Sequence, residues 1–221
     1  MSESIQDKGR RIAERVFVGG SVSKFEASGR AQLIALLRQG LSPRSKLLDV
    51  GCGCLRGGYW CIHFLAPGGY CGIEPNREML AVGIEELLDT DTLATKKPRF
   101  DHNDTFDFSV FGERFDFVLA RSVWTHAAKP HIRTMLDQFV EHTRPGAVFL
   151  TSYKRPIPVL RPDYDRAEWV GRSHESDEGG IVRHSLRWIR SECAARGLEV
   201  RETGQDDFSS QRWLRVARTG D

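Results

Sequence analysis

No stretch of about 18 uninterrupted apolar residues occurs in the chain, so no membrane-spanning helix is expected. Near the N-terminus, Asp7, Lys8, Arg10 and Arg11 replace the apolar segment that a secretory signal requires. Both absences lead to the expectation of a cytoplasmic protein with no membrane partner. A charge imbalance is missing too: 32 basic against 30 acidic residues leave a formal net charge of +2, which supplies no strong field for gathering nucleic acid. Five cysteines include Cys52, Cys54, Cys61 and Cys71 within one short segment, but only Cys52 and Cys54 are closely spaced. Structural zinc sites use paired knuckles, so the expected metal content is none and the thiols read as reduced and buried or in loops. Internal repeats and low-complexity tracts are also lacking.

What is present fits a globular domain, with 40% hydrophobic and 28% charged residues. The length of 221 residues suits one α/β domain with a full core, residues 1–221. Helical spacing marks residues 27–38, 55–65, 77–88, 129–142 and 181–195. Apolar runs mark strands at 46–51, 70–74, 115–120 and 147–152, with a weak one at 99–102, and residues 198–202 and 212–217 complete a terminal pair. Residues 89–98 read as a polar connection. The alternation predicts a Rossmann-like, mostly parallel seven-stranded sheet with helices on both faces and a C-terminal antiparallel hairpin. Four stretches follow: an N-terminal helical cap (1–45), a cofactor-binding core (46–152), an insert (153–180), and a C-terminal helix and strand pair (181–221). The insert is rich in Pro, Arg, Asp and Gly and exceeds ordinary connection lengths, the pattern of a functional lid.

The chemistry concentrates where the first strand gives way to a helix. Asp49-Val-Gly51-Cys-Gly53-Cys-Leu-Arg-Gly57 places glycines at the point where open α/β sheets bind ligands beyond their strand ends. Glu74 closes the second strand about 20 residues downstream, where a carboxylate can accept from the two hydroxyls of a ribose. Together they indicate a nucleoside cofactor, either a nicotinamide dinucleotide or S-adenosylmethionine. A dinucleotide fingerprint needs a third glycine at the helix start, and position 56 is Arg, which disfavours the former.

At this point the sequence resembles the class I S-adenosylmethionine-dependent methyltransferases, whose first motif has the form of Leu48-Asp-Val-Gly-Cys-Gly53. Gly72-Ile-Glu-Pro-Asn76, the stretch from Phe115 to Trp124, and Arg144-Pro-Gly-Ala-Val148 extend the match, as does the terminal strand pair. The resemblance implies that Gly51 and Gly53 approach the methionine part, that Asp49 orients the loop or the amino group, and that Glu74 holds the ribose. It further implies an acid accepting from the adenine amino group, Asp104 or alternatively Asp101, with Phe106 against the ring. Arg121 and Ser122 would line the space around the sulfonium.

A run such as N-P-P-Y after the fourth strand is absent, which argues against methylation of nucleic-acid amines. That strand ends in Ala120-Arg121-Ser122 with no acid, so no catalytic metal is expected. The expected function is direct in-line transfer of methyl from S-adenosylmethionine to a small-molecule acceptor, an oxygen nucleophile. N-methylation of a small molecule or RNA, or an NAD(P)-dependent oxidoreductase, are the alternatives. His126 is the candidate base, against the plainer reading of a histidine that packs or caps. Acceptor contacts are expected from Phe17, Phe25, Tyr153, Lys154, Arg155, Arg161, Tyr164, Arg166, Trp169 and Arg172, a mix suited to an anionic or sugar-like molecule or else a solvated face. His63, His131, His142, His174 and His184 receive no role, and no feature fixes an oligomeric state.

Overall fold

The computed structural model describes residues 3–157, 159–171 and 180–220; Arg172 and His174 lie outside them. Two compact units are present, Met1–Asp104 and Thr105–Asp221.

In the first unit β1 (Leu47–Val50), β2 (Tyr70–Ile73) and β3 (Arg99–Asp101) run parallel, with Leu47 opposite Tyr70 and Cys71 opposite Arg99. All residues of β1 and β2 are buried, which is why LLDV and YCGI read as continuous apolar runs. β3 is three residues long and only partly covered, matching its weak sequence signal. The helices are α1 (Ile5–Arg15), α2 (Phe25–Leu37), α3 (Gly58–Phe64), α4 (Arg77–Leu87) and α5 (Thr90–Lys96). Ser4 caps α1 by accepting from Asp7 N at 3.1 Å, and Arg11 ties α1 to Glu86 of α4 at 2.7 Å. Arg15 binds Glu85 of the same helix at 2.8 Å.

Two elements depart from expectation here. α5 occupies the stretch read as a polar connection. Its signals are capping ones rather than apolar periodicity: Asp89 Oδ1 accepts from Thr92 N at 2.6 Å, and Lys97 closes the helix in the left-handed region at φ 50°. Lys96 Nζ then donates to the carbonyls of His63 and Leu65 at 2.7 and 2.8 Å, fixing α5 beside the end of α3. α3 itself begins three residues after Leu55, because Leu55 adopts a positive φ of 61° and belongs to the preceding turn.

In the second unit β4 (Phe115–Ala120) and β5 (Thr143–Tyr153) pair in parallel, with α6 (Lys129–His142) between them. After α7 (Leu186–Ala194), β6 (Leu198–Gln205) and β7 (Arg212–Arg218) form the antiparallel hairpin, and β7 pairs antiparallel with β5. Strand order is β3-β2-β1-β4-β5-β7-β6 in one seven-stranded sheet, mostly parallel, with the antiparallel hairpin at its C-terminal side. Trp124, Phe139 and Phe149 are fully buried and meet ring to ring, with centroids 5.7 and 5.6 Å apart.

The last helix starts five residues later than its apolar spacing suggests. Val182 N donates to Thr125 O at 2.8 Å and His184 N to Lys154 O at 3.1 Å, so residues 181–184 run extended against earlier backbone. Ser185 then caps α7 by accepting from Trp188 N at 3.2 Å.

Candidate functional site

At the end of β1 the chain turns through Gly51 and Gly53, whose φ values of 69° and 56° lie where a side chain is unfavourable. The amides of Gly51 and Cys52 both donate to Ile73 O, at 2.8 and 3.1 Å, folding the turn toward the end of β2. Glu74 follows β2 directly and is 8% exposed. Its Oε2 accepts from Gly53 N and its Oε1 from Asn76 N, both at 2.9 Å. A nearly buried carboxylate therefore sits on the glycine turn, and two amides hold its orientation. A carboxylate is the group type that accepts from hydroxyl donors. α4 lies against this turn: a Cβ at Gly83 would stand 2.5 Å from the Cys54 carbonyl carbon, so only glycine permits the approach.

Beneath the turn, Asp49 is 3% exposed and accepts from Tyr70 Oη at 2.7 Å. Burial pushes its carboxyl up to about 7 in spite of that hydrogen bond, and the charge of Glu74 adds to the rise. Asp101 accepts from both the backbone and side-chain nitrogens of Asn103, at 2.8 and 2.7 Å. Burial raises its carboxyl, but these bonds and His102 outweigh it and leave the group below the ordinary range. Asp104 is exposed and has no hydrogen-bond or ion-pair partner among the described residues. The structure thus gathers Asp49, Gly51, Gly53 and Glu74. Asp101 joins them through the backbone, its carbonyl accepting from Glu74 N at 3.0 Å.

In the second unit Phe106 takes a positive φ of 58°, unusual for a bulky residue, and stacks on Trp169 of the insert with centroids 6.4 Å apart. Trp169 also stacks on His126 at 5.9 Å and meets His131 at 6.1 Å. His126 Nδ1 donates to Val170 O at 2.8 Å, while Val170 N donates back to His126 O at 2.9 Å. Burial lowers the His126 pKa, opposed by the carbonyls of Val170 and Gly180 beside the ring. The ring thus donates from Nδ1 to the insert.

Arg121 and Ser122, just past β4, are bound into the fold. Arg121 Nε lies 3.3 Å from Asp206 Oδ2, and both side chains are nearly buried. Ser122, at φ 65°, donates its amide to Ser152 Oγ at 2.8 Å. Ser152 Oγ donates to Gln211 Oε1, and Gln211 Nε2 donates to Ser122 Oγ, each at 2.6 Å. This closed ring fixes the backbone after β4 in its left-handed turn.

Residues 48–149, which include the glycine turn, Glu74, β4 and the first part of β5, match the methyltransferase domain family. The chain contains a methyltransferase domain. Its fold is that of class I S-adenosylmethionine-dependent methyltransferases. It is similar to magnesium protoporphyrin IX methyltransferase from Synechocystis PCC 6803, solved with S-adenosylhomocysteine, at TM-score 0.64, 18% identity and coverage of 96% of this chain and 93% of the other. DesVI of Streptomyces venezuelae matches at TM-score 0.64 and 19% identity over 99% of this chain and 100% of its own. The glycopeptide N-methyltransferase MtfA, complexed with sinefungin, matches at TM-score 0.64 and 15% identity over 86% and 93%.

Ser152, Asp206 and Gln211 are partners of Arg121 and Ser122 that sequence pattern does not reveal. Asp206 and Gln211 flank the short connection between β6 and β7, where no periodicity or motif distinguishes them. The one usable signal is physical: both are 6% exposed, and a buried polar side chain needs a partner.

Proposed function

We propose that the protein transfers a methyl group from S-adenosylmethionine to an oxygen nucleophile of a small molecule. The observation that carries this reading is the Glu74 carboxylate fixed on the Gly51–Gly53 turn within a methyltransferase domain. The residues fit such a cofactor. Glycines at 51 and 53 leave room for close backbone approach, and the Glu74 carboxylate would accept from two ribose hydroxyls. The neighbours named above include a protein solved with S-adenosylhomocysteine and one with sinefungin, which supports the same pocket chemistry.

When bound, the cofactor supplies an activated methyl on a sulfonium, so the protein has mainly to align the acceptor and exclude water. Asp49 would orient the turn or accept from the amino group. Between the acids after β3, Asp104 is the better partner for the adenine amine, because Asp101 is engaged by Asn103. Phe106 would face the ring. Arg121 and Ser122 act by holding the turn after β4 and shape the space beyond it from there. No metal is assigned, since β4 ends in Ala120-Arg121-Ser122 without an acid and Asp206 already neutralises Arg121. His126 stays the candidate base, and with Nδ1 donating to Val170 O the nitrogen that would accept a proton is Nε2.

A screen with methyl-labelled S-adenosylmethionine over hydroxylated, carboxylated and amine acceptors tests the reading. Methylation confined to amines would replace oxygen by nitrogen, an outcome with precedent in MtfA, named as an N-methyltransferase. Nicotinamide binding without S-adenosylmethionine binding would remove the reading altogether.

A further inference from the structure

The insert after β5 brings three cations together through its backbone. Ile157 and Arg161 exchange both amide hydrogen bonds at 2.8 Å, doubling the chain back on itself. His184 N donates to Lys154 O at 3.1 Å, Tyr164 N to Arg183 O at 2.9 Å, and Arg183 Nη1 to Arg155 O at 2.7 Å, which fixes Lys154, Arg161 and Arg183 in one neighbourhood.

Three nearby acids are engaged elsewhere. Glu202 binds Arg155, Tyr153 and Arg212, Asp165 binds Lys129 at 2.6 Å, and Asp163 accepts from Ser185 N at 3.2 Å. Among the described residues no carboxylate pairs with Lys154, Arg161 or Arg183. Burial first, then the charges of Arg183 and Arg161, depress the Lys154 ammonium, and Lys154 in turn acts on His126. Ile157, Val159, Leu160 and Ile181 give the cluster an exposed apolar border. Like charges held together repel, and an organic anion would remove that repulsion while covering the apolar border.

We infer that Lys154, Arg161 and Arg183 form a binding site for an anionic group, a carboxylate or phosphate, carried by the methyl acceptor. This rests on the reading of the protein as a small-molecule methyltransferase. Arg155, equally prominent in the sequence, lies outside the site because Glu202 neutralises it.

Calorimetric titration of the purified full chain with inorganic phosphate and, separately, benzoate, at ionic strength matched with sodium chloride, tests the site. Saturable binding of at least one probe is expected, and which one saturates names the group. Lys154→Met and Arg161→Gln should each weaken binding at least tenfold, and Arg155→Gln by less than twofold. Neither Lys154 nor Arg161 makes a side-chain hydrogen bond among the described residues, so unchanged melting temperatures are expected for both variants. Absence of saturable binding, equal loss in Arg155→Gln, or binding only to phosphatidylglycerol vesicles or to polyuridylate would overturn the proposal. S-adenosylmethionine affinity is measured on the same samples. If it is intact while anion binding is absent, only this inference fails; if it is missing in the parent protein, the functional reading fails instead.

Discussion

Asp49→Asn should make the protein more stable at alkaline pH and worse at holding S-adenosylmethionine. The wild-type carboxyl is lifted from 3.8 to about 7 by complete burial. A carboxyl whose folded-state pKa is raised favours folding fully below its unfolded value and loses that contribution as pH climbs through the folded value. Each pH unit of that interval is worth ~1.4 kcal/mol, so the ionised side chain should cost at most about 4 kcal/mol above pH 7. Asn keeps an oxygen to accept from Tyr70 Oη but adds buried N–H donors, an expense of about 1–3 kcal/mol if they stay unpaired. The net expectation is a crossover: the variant is less stable near pH 4 and about 1–3 kcal/mol more stable at pH 8. Thermal and urea melts of both proteins across that range read it directly. At ~2–4 °C per kcal/mol for a chain of this size, the melting-temperature difference should swing by about 8–16 °C. A difference independent of pH would show that the Asp49 carboxyl titrates alike in the folded and unfolded chain, and the electrostatic account of the turn would be wrong.

Glu74→Ala should lower S-adenosylmethionine affinity at least tenfold and, by leaving the Gly53 and Asn76 amides without acceptors, cost about 1–3 kcal/mol for each amide left buried. Full affinity in that variant would mean the ribose is misplaced. Gly83→Ala drives a methyl into the Cys54 backbone and should cost about 2–3 kcal/mol, read as a melting temperature lower by about 5–10 °C. An unchanged melt would remove the close approach of α4 from the argument. His126→Asn separates two roles. A base gives a fall in kcat of about 10²–10⁴ with the acid limb of the pH profile lost, a limb placed below the ordinary histidine range by burial. A pin for the insert gives a raised KM with kcat kept, and unchanged kinetics would discard both.

Much of the architecture is legible from short-range pattern. β4 and α6 coincide with their apolar periodicities at both ends, and β1 and β2 show as apolar runs because parallel strands are covered on both faces. The glycine turn and Glu74 are legible for a related reason: their geometry depends on residue type at fixed spacing, and the bond from Gly53 N to Glu74 realises it. α5 was hidden because capping at Asp89 and Lys97, with Lys96 anchored on two carbonyls, defines it in place of an apolar stripe.

What the sequence determined by itself is the strand–turn–helix chemistry of a cofactor site, since propensity, φ preference and a downstream carboxylate all act over a few residues or one βαβ unit. Tertiary structure alone decided which polar groups are committed. Arg121 meets Asp206 across 85 positions and Ser122 meets Gln211 across 89. Arg155 is neutralised by Glu202, while no carboxylate among the described residues pairs with Lys154, Arg161 or Arg183. Such pairings depend on where separate strands bring side chains within hydrogen-bond distance, and no local pattern encodes that.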